Sequence, residues 1–580
     1  MLVSIAGLGQ PASPASAATT ITVSNLNDDT TSGNGCSLRE AMANANNNAA
    51  THPDCLAGSG VDTIVFQSAL NGSILLGTPL PAISDVNGLS ITGGTSKISI
   101  IANGVSRAFE VQVGATATLQ NLTIMNGSGN GGNIYNAGTL NLISVTVRNG
   151  NGTNGGALYN AGGTINVTNS TFTGNIADLG AVFYNNGGTA AFTNVTINDN
   201  DVNLGGSGII YNNGVLTVKN SLFADGNSTV HCVGNALNFT STNNIADDLS
   251  CGPSFAAWST ASIALGPLAN YGGSTETFKL LPESVAINAG DNTYCAVTDQ
   301  RGTGRPQGTL CDAGSYEAKI SLTVSPTSLA FGNSVVGLTS LPKTVTVTNT
   351  GEANLLPGII TVTGDFAINT DLCSSTIVPP AGTCTFNVVF HPTSSVAKTG
   401  TVSIPTNALV SPTNIPVTGT GIVGVNLVVN PGFEKPLKRP MGWRNLTYPY
   451  TLTSVMDCSV GLASFCSLKL PGKDKLAYVV QEVRSAGKEN TRYLIKLSSK
   501  ADNISLPPDG VYKGEVYFLD GYGKLIESVS LNFTPGTHDW EQLQTIFVTS
   551  HRFFTMNFRI LLKSTTGEAW FDNAVLIRLP

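Results

Sequence analysis

Five charged side chains that could do acid–base chemistry are concentrated in a short stretch of this 580-residue chain. The stretch contains Asp299, Arg301, Arg305, Asp312 and Glu317. A pair of carboxylates can act as acid and base in glycoside hydrolysis, but the same residue types also form ion pairs that hold chain segments together. We favour the structural interpretation and predict an ion-pair network at the end of a repeat domain.

The segment that precedes these charges is a repeat. Residues 119–227 contain four copies of Tyr-Asn-Ala-Gly or Tyr-Asn-Asn-Gly, at intervals of 24, 25 and 27 residues. The copies begin at Tyr135, Tyr159, Tyr184 and Tyr211. Apolar and polar residues alternate between the copies, which is typical of half-buried strands. A fixed period with short strands predicts a solenoid, and this repeat length favours a right-handed parallel β-helix.

Asparagines occur at the turns of this repeat, at Asn126, Asn149, Asn175 and Asn198. Their amides could form a ladder of hydrogen bonds from one coil to the next. They could also serve turn geometry alone. The sequence leaves both interpretations open.

The repeat is nearly free of charge. Between Val111 and Asn220 the charged residues are Arg148, Asp178, Asp199, Asp201 and Lys219. Glycosidases need two carboxylates that face the scissile bond, and lyases need a positioned base. Five scattered charges supply neither, so we predict that the repeat carries no active site and that the protein is not an enzyme.

Charged residues make up only 11% of the chain, and the formal net charge is −7. Residues 1–422 hold 11 basic and 22 acidic side chains, whereas residues 423–580 hold 18 basic and 14 acidic ones. This asymmetry indicates a change of domain. The basic residues do not cluster with aromatic ones, so nucleic-acid binding is not expected.

The ten cysteines fall into five pairs of near neighbours, which predicts local disulfides. The pairs are Cys36 with Cys55, Cys232 with Cys251, Cys295 with Cys311, Cys373 with Cys384, and Cys458 with Cys466. The sequence has no CxxC motif and no Cys/His cluster, which argues against zinc. Disulfides require an oxidising compartment, so we expect an extracellular or cell-surface protein.

The first 20 residues fit export as the remnant of a signal peptide. Ala15-Ser16-Ala17 resembles a signal-peptidase site, although a basic region ahead of the apolar residues is missing. We therefore expect a signal peptide whose start is truncated. No later segment reaches the roughly 18 uninterrupted apolar residues typical of a transmembrane helix.

A helix is predicted over residues 36–46, because Ser37 and Glu40 form a capping box. It would cover the open end of the β-helix, which otherwise exposes a strand edge. The motif Cys36-Ser-Leu-Arg-Glu-Ala-Met resembles the CSLREA motif of bacterial secreted β-helix proteins of the choice-of-anchor type. We expect Arg39 to pair with a neighbouring acid.

Four further segments carry the same resemblance, which covers residues 21–318. They are Asp62–Phe66, Asn103–Phe109, Asp299–Pro306 and Cys311–Glu317. The resemblance implies a right-handed parallel β-helix with closed ends and a secreted or surface location, and it implies little about biochemical activity.

Residues 319–422 contain alternating strands at about 8- to 12-residue spacing, which predicts a β-sandwich. The strings Lys343–Gly351 and Pro379–Pro392 resemble the Hydin-like immunoglobulin-fold domain of secreted bacterial proteins. The resemblance implies an Ig-like spacer or contact module.

Residues 423–580 open with Asn426–Glu434 and end with Ala569–Leu576, which resemble carbohydrate-binding modules of the jelly-roll type related to families 4 and 9. In that family a structural calcium ion often joins the first and last strands. By position Asn430, Glu434 and Asp572 would supply its oxygen ligands. The alternative is that these residues cap turns and bond the backbone. No other cofactor is expected to be required.

Sugar recognition needs aromatic rings on an exposed surface. The resemblance assigns three tryptophans to packing, namely Trp443, Trp540 and Trp570. Three tyrosines in predicted loops near proline or glycine remain as candidate sugar contacts, namely Tyr448, Tyr450 and Tyr512.

Three functional hypotheses follow. The leading one is a non-catalytic exported bacterial surface or matrix protein that adheres to, or contacts, a polysaccharide or surface glycan through its C-terminal jelly roll. The second is a polysaccharide lyase or glycoside hydrolase with an appended binding module. The third is the subunit of a self-assembling extracellular fibre.

Overall fold

The structure is a computed structural model that describes residues 18–104, 106–224, 230–238, 240–434, 442–445, 456–462 and 466–580. Strands dominate all of these ranges. Within them, no helix has both the length and the apolar character that crossing a membrane would require.

The first part of the chain is a parallel solenoid of short strands. Its elements, in chain order, are β1 (Thr19–Val23), α1 (Leu38–Asn47), β2 (Asp62–Phe66), β3 (Gly72–Leu75), β4 (Leu89–Thr92), β5 (Ile98–Ile101), β6 (Phe109–Val111), β7 (Thr116–Gln120), β8 (Leu122–Met125), β9 (Ile134–Asn136), β10 (Thr139–Ile143), β11 (Thr146–Arg148), β12 (Asn151–Asn154), β13 (Leu158–Asn160), β14 (Thr164–Thr168), β15 (Thr171–Thr173), β16 (Ile176–Leu179), β17 (Phe183–Asn185), β18 (Thr189–Thr193), β19 (Thr196–Ile197), β20 (Asp201–Ser207), β21 (Ile210–Asn212), β22 (Val215–Lys219), β23 (Leu222–Phe223), β24 (Cys232–Gly234), β25 (Asn244–Ala246), β26 (Phe255–Ala257), α2 (Thr260–Ile263), β27 (Leu265–Ala269) and β28 (Thr277–Leu280).

Equivalent strands of successive coils stack into three long parallel sheets. Face A has the order β1-β2-β4-β7-β10-β14-β18-β22, face B the order β26-β25-β23-β19-β15-β11-β8-β5-β3, and face C the order β24-β21-β17-β13-β9-β6. Neighbouring coils pair in register, so that Leu140 lies beside Ile165. The inward residues fill one continuous core. The prediction of an all-β chain that begins with a parallel β-helix is confirmed.

An amide ladder runs through this core at the asparagine of the repeated tetrapeptide. Asn136 donates to Asn160 at 2.9 Å, and Asn160 donates to Asn185 at 3.0 Å. Asn185 continues the ladder to Asn212 at 2.8 Å. All four side chains are buried, so each amide finds in the next coil the partner that water cannot supply.

The turn asparagines behave differently from one another. Asn175 joins a second buried ladder and donates to Asn200 at 2.9 Å. Asn126 and Asn149 instead adopt positive φ angles of 62° and 53°, so they serve turn geometry. The ladder is therefore real, but most of it lies away from the turns.

The tyrosines of the tetrapeptide stack on the outside of face C. The ring centroids of Tyr135, Tyr159, Tyr184 and Tyr211 are 5.1–5.2 Å apart, with interplanar angles of 4–9°. The Arg107 guanidinium lies 4.7 Å from the Tyr135 centroid at one end of the stack. Each inner ring has both faces covered by its neighbours, so these rings offer a ligand only their edges.

The closing segment lies along the side of the coils, which corrects the prediction that its charges form a network at the solenoid end. Ser274 Oγ donates to the Gly94 carbonyl at 2.7 Å, and the Asn220 amide donates to the Asp291 carbonyl at 3.0 Å. Residues 274–315 therefore span several coils and cover the outward threonines of face B.

One of these threonines shows why the segment packs there. Thr171 Oγ1 lies 3.0 Å from Thr277 Oγ1, 2.7 Å from Gln300 Oε1 and 3.0 Å from Ser315 Oγ. All four residues are buried. Outward threonine hydroxyls at successive coils thus form a row of hydrogen-bond partners along face B. A segment that runs across the coils can use the whole row, whereas a segment at the end of the solenoid could not.

Helix α1 covers the end of the solenoid that β1 and β2 form, as predicted. Ser37 accepts from the Glu40 N–H and Glu40 reaches back to the Ser37 N–H, which confirms the capping box. Leu38 and Met42 are fully buried in the solenoid core. Arg39 pairs with Asp28 at 2.8 Å, also as expected.

The next strands are β29 (Leu322–Ser325), β30 (Leu329–Val335), β31 (Lys343–Asn349), β32 (Thr361–Val362), β33 (Phe366–Asp371), β34 (Thr383–Phe390), β35 (Ala397–Ile404) and β36 (Thr413–Ile422). They form two four-stranded sheets of order β29-β31-β34-β33 and β30-β36-β35-β32. Most pairs are antiparallel, but β30 runs parallel to β36. Phe366 and Phe390 stack between the sheets at 4.8 Å.

The last strands are β37 (Trp443–Asn445), β38 (Met456–Asp457), β39 (Ser467–Pro471), β40 (Ala477–Val483), β41 (Arg492–Ser505), β42 (Val511–Leu519), β43 (Leu525–Asn532), β44 (Gly536–Val548), β45 (Thr555–Lys563) and β46 (Thr566–Leu579). Two five-stranded antiparallel sheets enclose an apolar core: sheet L, of order β37-β40-β45-β42-β43, and sheet K, of order β38-β39-β46-β41-β44. Leu494 and Leu579 of sheet K pack against Val335 of the preceding sandwich.

All five predicted disulfides are present. They join Cys36 to Cys55, Cys232 to Cys251, Cys295 to Cys311, Cys373 to Cys384, and Cys458 to Cys466. Such bonds persist in oxidising compartments, which fits an extracellular protein.

Candidate functional site

The outer surface of sheet L, which we call the L face, carries an aromatic and charged cluster. Alternate residues of its central strands, such as Val479, Val516 and Phe558, point into the core. Residues one position away therefore point outward. On the L face this places Tyr478 on β40 and Tyr517 on β42, on either side of Arg559 on β45.

Arg559 lies between the two tyrosine rings. Its guanidinium carbon is 5.1 Å from the Tyr478 centroid and 4.3 Å from the Tyr517 centroid. Both distances are within the range of a cation–π attraction. The stacking fixes both rings and the guanidinium on three adjacent strands.

A buried glutamate completes the cluster. Glu515 is only 3% exposed and lies 3.1 Å from Arg559 Nη1. Its other oxygen lies 2.6 Å from Lys513 Nζ. A carboxylate so little hydrated needs cationic partners, and here it has two. The arginine is thereby held by the two rings and by the charge of Glu515, its neighbour on the adjacent strand.

The surroundings of the cluster are mixed apolar and hydroxylic. Val480 and Leu561 flank Arg559 and are buried, although neither belongs to the core between the sheets. Exposed Ser528 and Ser530 follow on β43. A cavity of about 610 Å³ adjoins the other edge and is lined in part by Arg444, Glu482 and Arg484.

This arrangement is suited to holding a neutral, polyhydroxylated molecule. Tyrosine rings present flat apolar faces with a polar end, and the guanidinium and the carboxylate provide fixed donors and acceptors. Rigid strands carry all of these groups, so little conformational entropy is lost on binding.

The structure contradicts the prediction for Tyr512, which lies in strand β42 rather than in a loop. Its ring is 3% exposed and packs against Phe533 and Phe571, and its hydroxyl is 2.7 Å from Ser499 Oγ. Burial raises the pKa of the Tyr512 phenol well above its usual value. The alternation of β42 turns Tyr512 inward and Tyr517 outward, so Tyr512 cannot contact a sugar.

Tyr448 and Tyr450 lie outside the described residues. The sequence reasoning missed Tyr478, Tyr517 and Arg559. Their strands do alternate in the sequence, but nothing local states which side of a strand faces the core and which faces outward.

The tryptophans occupy three different environments. Trp443 is buried in the core and donates to the Asn430 carbonyl at 3.2 Å. Trp570 is buried on the outside of sheet K, where Nε1 donates to Asp457 at 2.9 Å. Trp540 on β44 is half-buried. Packing is confirmed for Trp443, whereas Trp570 packs outside the core.

The three predicted calcium ligands all bond to backbone. Asn430 Oδ1 accepts the Glu434 N–H at 3.0 Å. Glu434 accepts the N–H group of Cys466 at 3.0 Å, and buried Asp572 accepts the N–H group of Leu462 at 2.9 Å.

This backbone bonding is the alternative that the sequence left open. Among the described residues, no group of three or more His, Cys, Asp or Glu side chains could hold a metal ion. Calcium binding therefore stays a prediction.

The acid and arginine cluster of the closing segment forms a buried clasp. Arg305 and Glu317 are fully buried and 2.6 Å apart. Arg305 also donates to the carbonyls of Asp312 at 3.0 Å and Gly314 at 2.7 Å. Each oxygen of Glu317 and of Asp312 accepts a backbone N–H. These groups are engaged in holding the chain, as the structural interpretation predicted.

The clasp should make stability depend on pH. Burial, together with the charge of Glu317, raises the pKa of Asp312 to about 8, far above the ordinary range of an aspartate. Burial also raises the pKa of Glu317. One arginine faces two carboxyl groups, so the folded clasp retains a proton that the unfolded chain releases. Its stabilising effect is complete below about pH 4 and is lost as the pH rises through about 8.

We therefore expect the midpoint of thermal unfolding to fall between pH 5 and pH 9 by more in the native protein than in Asp312→Asn, which cannot release this proton. The difference between the two proteins isolates the clasp from other titrating groups. A pH dependence that is the same in both proteins would contradict the assignment.

No protein family model and no curated protein matches this sequence. Among solved structures it is similar to a family 16 carbohydrate-binding module, at 24% identity over 26% of this chain and 99% of that one, with a TM-score of 0.21. It is also similar to the CBM22-1 xylan-binding domain of Xyn10C from Paenibacillus barcinonensis, at 16% identity over 27% and 95%, with a TM-score of 0.20. A third is the secreted serine protease VesC from Vibrio cholerae, at 14% identity over 44% and 50%, with a TM-score of 0.16.

The fold and the site together define a class of protein. It is a disulfide-bonded, all-β protein in which a parallel solenoid precedes antiparallel sheet domains. Its last pair of sheets presents an arginine between two tyrosines.

Proposed function

We propose that this protein is a non-catalytic extracellular protein that contacts a polysaccharide or surface glycan through the L face. The observation that supports this proposal most is the position of Arg559 between Tyr478 and Tyr517, where it is ion-paired with buried Glu515. Tyr478, Tyr517 and Arg559 are half-buried on the outer side of sheet L and are not part of the core between the sheets. A contact role accounts for an ordered aromatic and charged cluster at this position.

The chemistry of the cluster favours a sugar chain as the partner. The C–H groups on the faces of a sugar ring pack against aromatic rings, while its hydroxyls need donors and acceptors at fixed positions. Glu515 is ion-paired with both Arg559 and Lys513, so the cluster carries a net charge of only +1 with which to attract an ionic ligand. Neighbouring Ser528 and Ser530 add hydroxyls to the same face.

In this proposal the solenoid and the middle sandwich form a rigid support for the L face. The coils are stapled by disulfides and by buried amide ladders, and the middle sandwich packs against sheet K. A stiff body of this kind suits adhesion, because it holds a binding module at a set distance from its anchor.

The test is a glycan array probed with the full chain, together with an assay for release of reducing ends or unsaturated sugars. Binding to a defined polysaccharide without turnover supports the proposal. Turnover of any bound polysaccharide would overturn the non-catalytic assignment. Absence of binding to every glycan would overturn glycan contact, and filament formation would then be the function to examine.

Calcium dependence is a separate proposal, which rests on the resemblance to jelly-roll modules with a structural calcium ion. Glu434 and Asp572 bond the N–H groups of Cys466 and Leu462, so a cation held by both carboxylates would join these positions. We expect EDTA to lower the unfolding midpoint of the C-terminal sheets by several degrees and calcium chloride to restore it. Asp572→Asn should show the same midpoint with and without EDTA. An EDTA-independent midpoint in the native protein would leave backbone bonding as the role of these residues.

A further inference from the structure

The hairpin between β42 and β43 holds a tyrosine fully in solvent. Tyr522 is 100% exposed. Its turn is nevertheless well ordered, because Asp520 Oδ1 accepts the N–H groups of Tyr522 at 2.9 Å and Lys524 at 2.8 Å. Gly523 has a φ of 80°, which suits glycine and closes the turn. The ring is thus presented by a preorganised tip.

A second exposed ring lies beside this tip. Phe554 is 46% exposed, and its N–H donates to the Leu519 carbonyl at the base of the hairpin at 2.8 Å. The Arg552 guanidinium lies 5.0 Å from its centroid. A Cβ placed on Gly521 would be 3.8–4.0 Å from the Phe554 ring, so the ring lies close to the turn. Tyr522 and Phe554 are therefore both exposed at the same hairpin, and we call these two residues the tip patch.

The register of the strands connects the L face to the tip patch along a diagonal. Tyr478 lies opposite Leu561, which is two residues after Arg559 on β45 and faces outward like it. Tyr517 lies opposite Asn557, which is two residues before Arg559 and also faces outward. Each step from Tyr478 to Arg559 to Tyr517 thus advances one strand and two residues.

The next step along this diagonal arrives at Leu525, which is 44% exposed and begins β43 directly after the hairpin turn. With about 4.8 Å between strands and about 3.4 Å per residue, the three steps from Tyr478 span roughly 25 Å. The diagonal from Tyr478 through Arg559 and Tyr517 therefore ends at the start of β43, directly after the hairpin turn that carries Tyr522.

We propose that the tip patch is a second sugar contact, so that the L face and the hairpin tip together bind a linear polysaccharide over several consecutive sugar residues. This inference rests on the proposed function and makes it more specific. The ligand is a chain bound along its length, since a site for a chain end alone would not need contacts that extend some 25 Å from Tyr478 to the hairpin.

A lipid surface is the competing partner for exposed rings beside a cation. Binding to membrane interfaces scales with buried apolar area and with attraction to anionic lipids. The tip offers only two rings, and the Asp520 carboxylate at the turn offsets one of the two nearby cations, Lys524 and Arg552. Continuity with the L face also favours the sugar chain.

The experiment measures the affinity of the full chain for short and long oligomers of the glycan identified on the array, from disaccharide to octasaccharide. We expect Tyr522→Ala to weaken octasaccharide binding by about five- to tenfold and to leave disaccharide binding unchanged. Tyr294→Ala is the matched control, because Tyr294 is also exposed but belongs to the closing segment of the solenoid.

The outcomes separate the two proposals. Unchanged octasaccharide affinity in Tyr522→Ala, with binding lost in Tyr517→Ala, would overturn the tip contact and keep the L face. No oligosaccharide binding by the native protein would overturn both. Sedimentation with vesicles of phosphatidylcholine and phosphatidylglycerol that is lost in Tyr522→Ala would assign the tip to lipid and overturn the sugar contact.

Discussion

Tyr517→Ala should weaken binding of the recognised glycan by at least about thirtyfold, or roughly 2 kcal/mol. The substitution removes one ring that a sugar would stack on. It also removes the nearer of the two faces that hold the Arg559 guanidinium, at 4.3 Å. With only the Tyr478 ring and the Glu515 carboxylate left to hold it, the Arg559 side chain can change rotamer. Isothermal titration calorimetry with the full chain measures the loss.

Two variants make this result specific. Tyr517→Phe keeps the ring and should bind within about threefold of the native protein. Tyr512 lies on the same strand, five residues away, and faces the core. Tyr512→Phe removes its buried hydroxyl and should lower stability without changing affinity. Native affinity in Tyr517→Ala would show that the L face is not the contact surface.

Arg305→Met should destabilise the solenoid by about 3–5 kcal/mol, because it leaves Glu317 buried without its cation. The substitution also removes the donors to the carbonyls of Asp312 and Gly314. Since the clasp fastens the closing segment to face B, we expect the segment to detach before the coils unfold. Limited proteolysis should then cut between residues 281 and 318, and the unfolding midpoint should fall.

Arg107→Met is the matched control for this prediction. Arg107 also pairs with a carboxylate, Glu110 at 2.9 Å, but both side chains are partly exposed. Such pairs contribute at most about 1 kcal/mol. If Arg305→Met and Arg107→Met had equal midpoints and equal proteolytic patterns, the clasp would not secure the segment.

Local sequence was sufficient for several features. The period of the tetrapeptide predicted the solenoid, since a strand–turn unit that cannot bury its inner face alone has to stack on its neighbours. Ser37 and Glu40 predicted the start of α1, because a capping box needs only residues three apart. The five disulfides followed from short separations between cysteines.

The boundaries of the Ig-like and jelly-roll units, and the resemblances behind them, stay predictions. The asparagine ladder shows where local reasoning became insufficient. Both the turn asparagines and those of the tetrapeptide repeat with the coil, so periodicity could not distinguish them. The inward direction of Asn160 and Asn185 decided the matter, and it depends on the path of the whole coil.

By itself the sequence determined the elements: short alternating strands, a capped helix, local disulfides and a charge-poor repeat. Only the tertiary structure decided which surfaces those elements expose. It turned Tyr517 outward and Tyr512 inward on one strand, and it laid Gln300 against Thr171, a residue far away in the sequence. Strand alternation produces two faces but does not determine which of them is buried. Packing against residues that are distant in the sequence decides this, and no local pattern contains their positions.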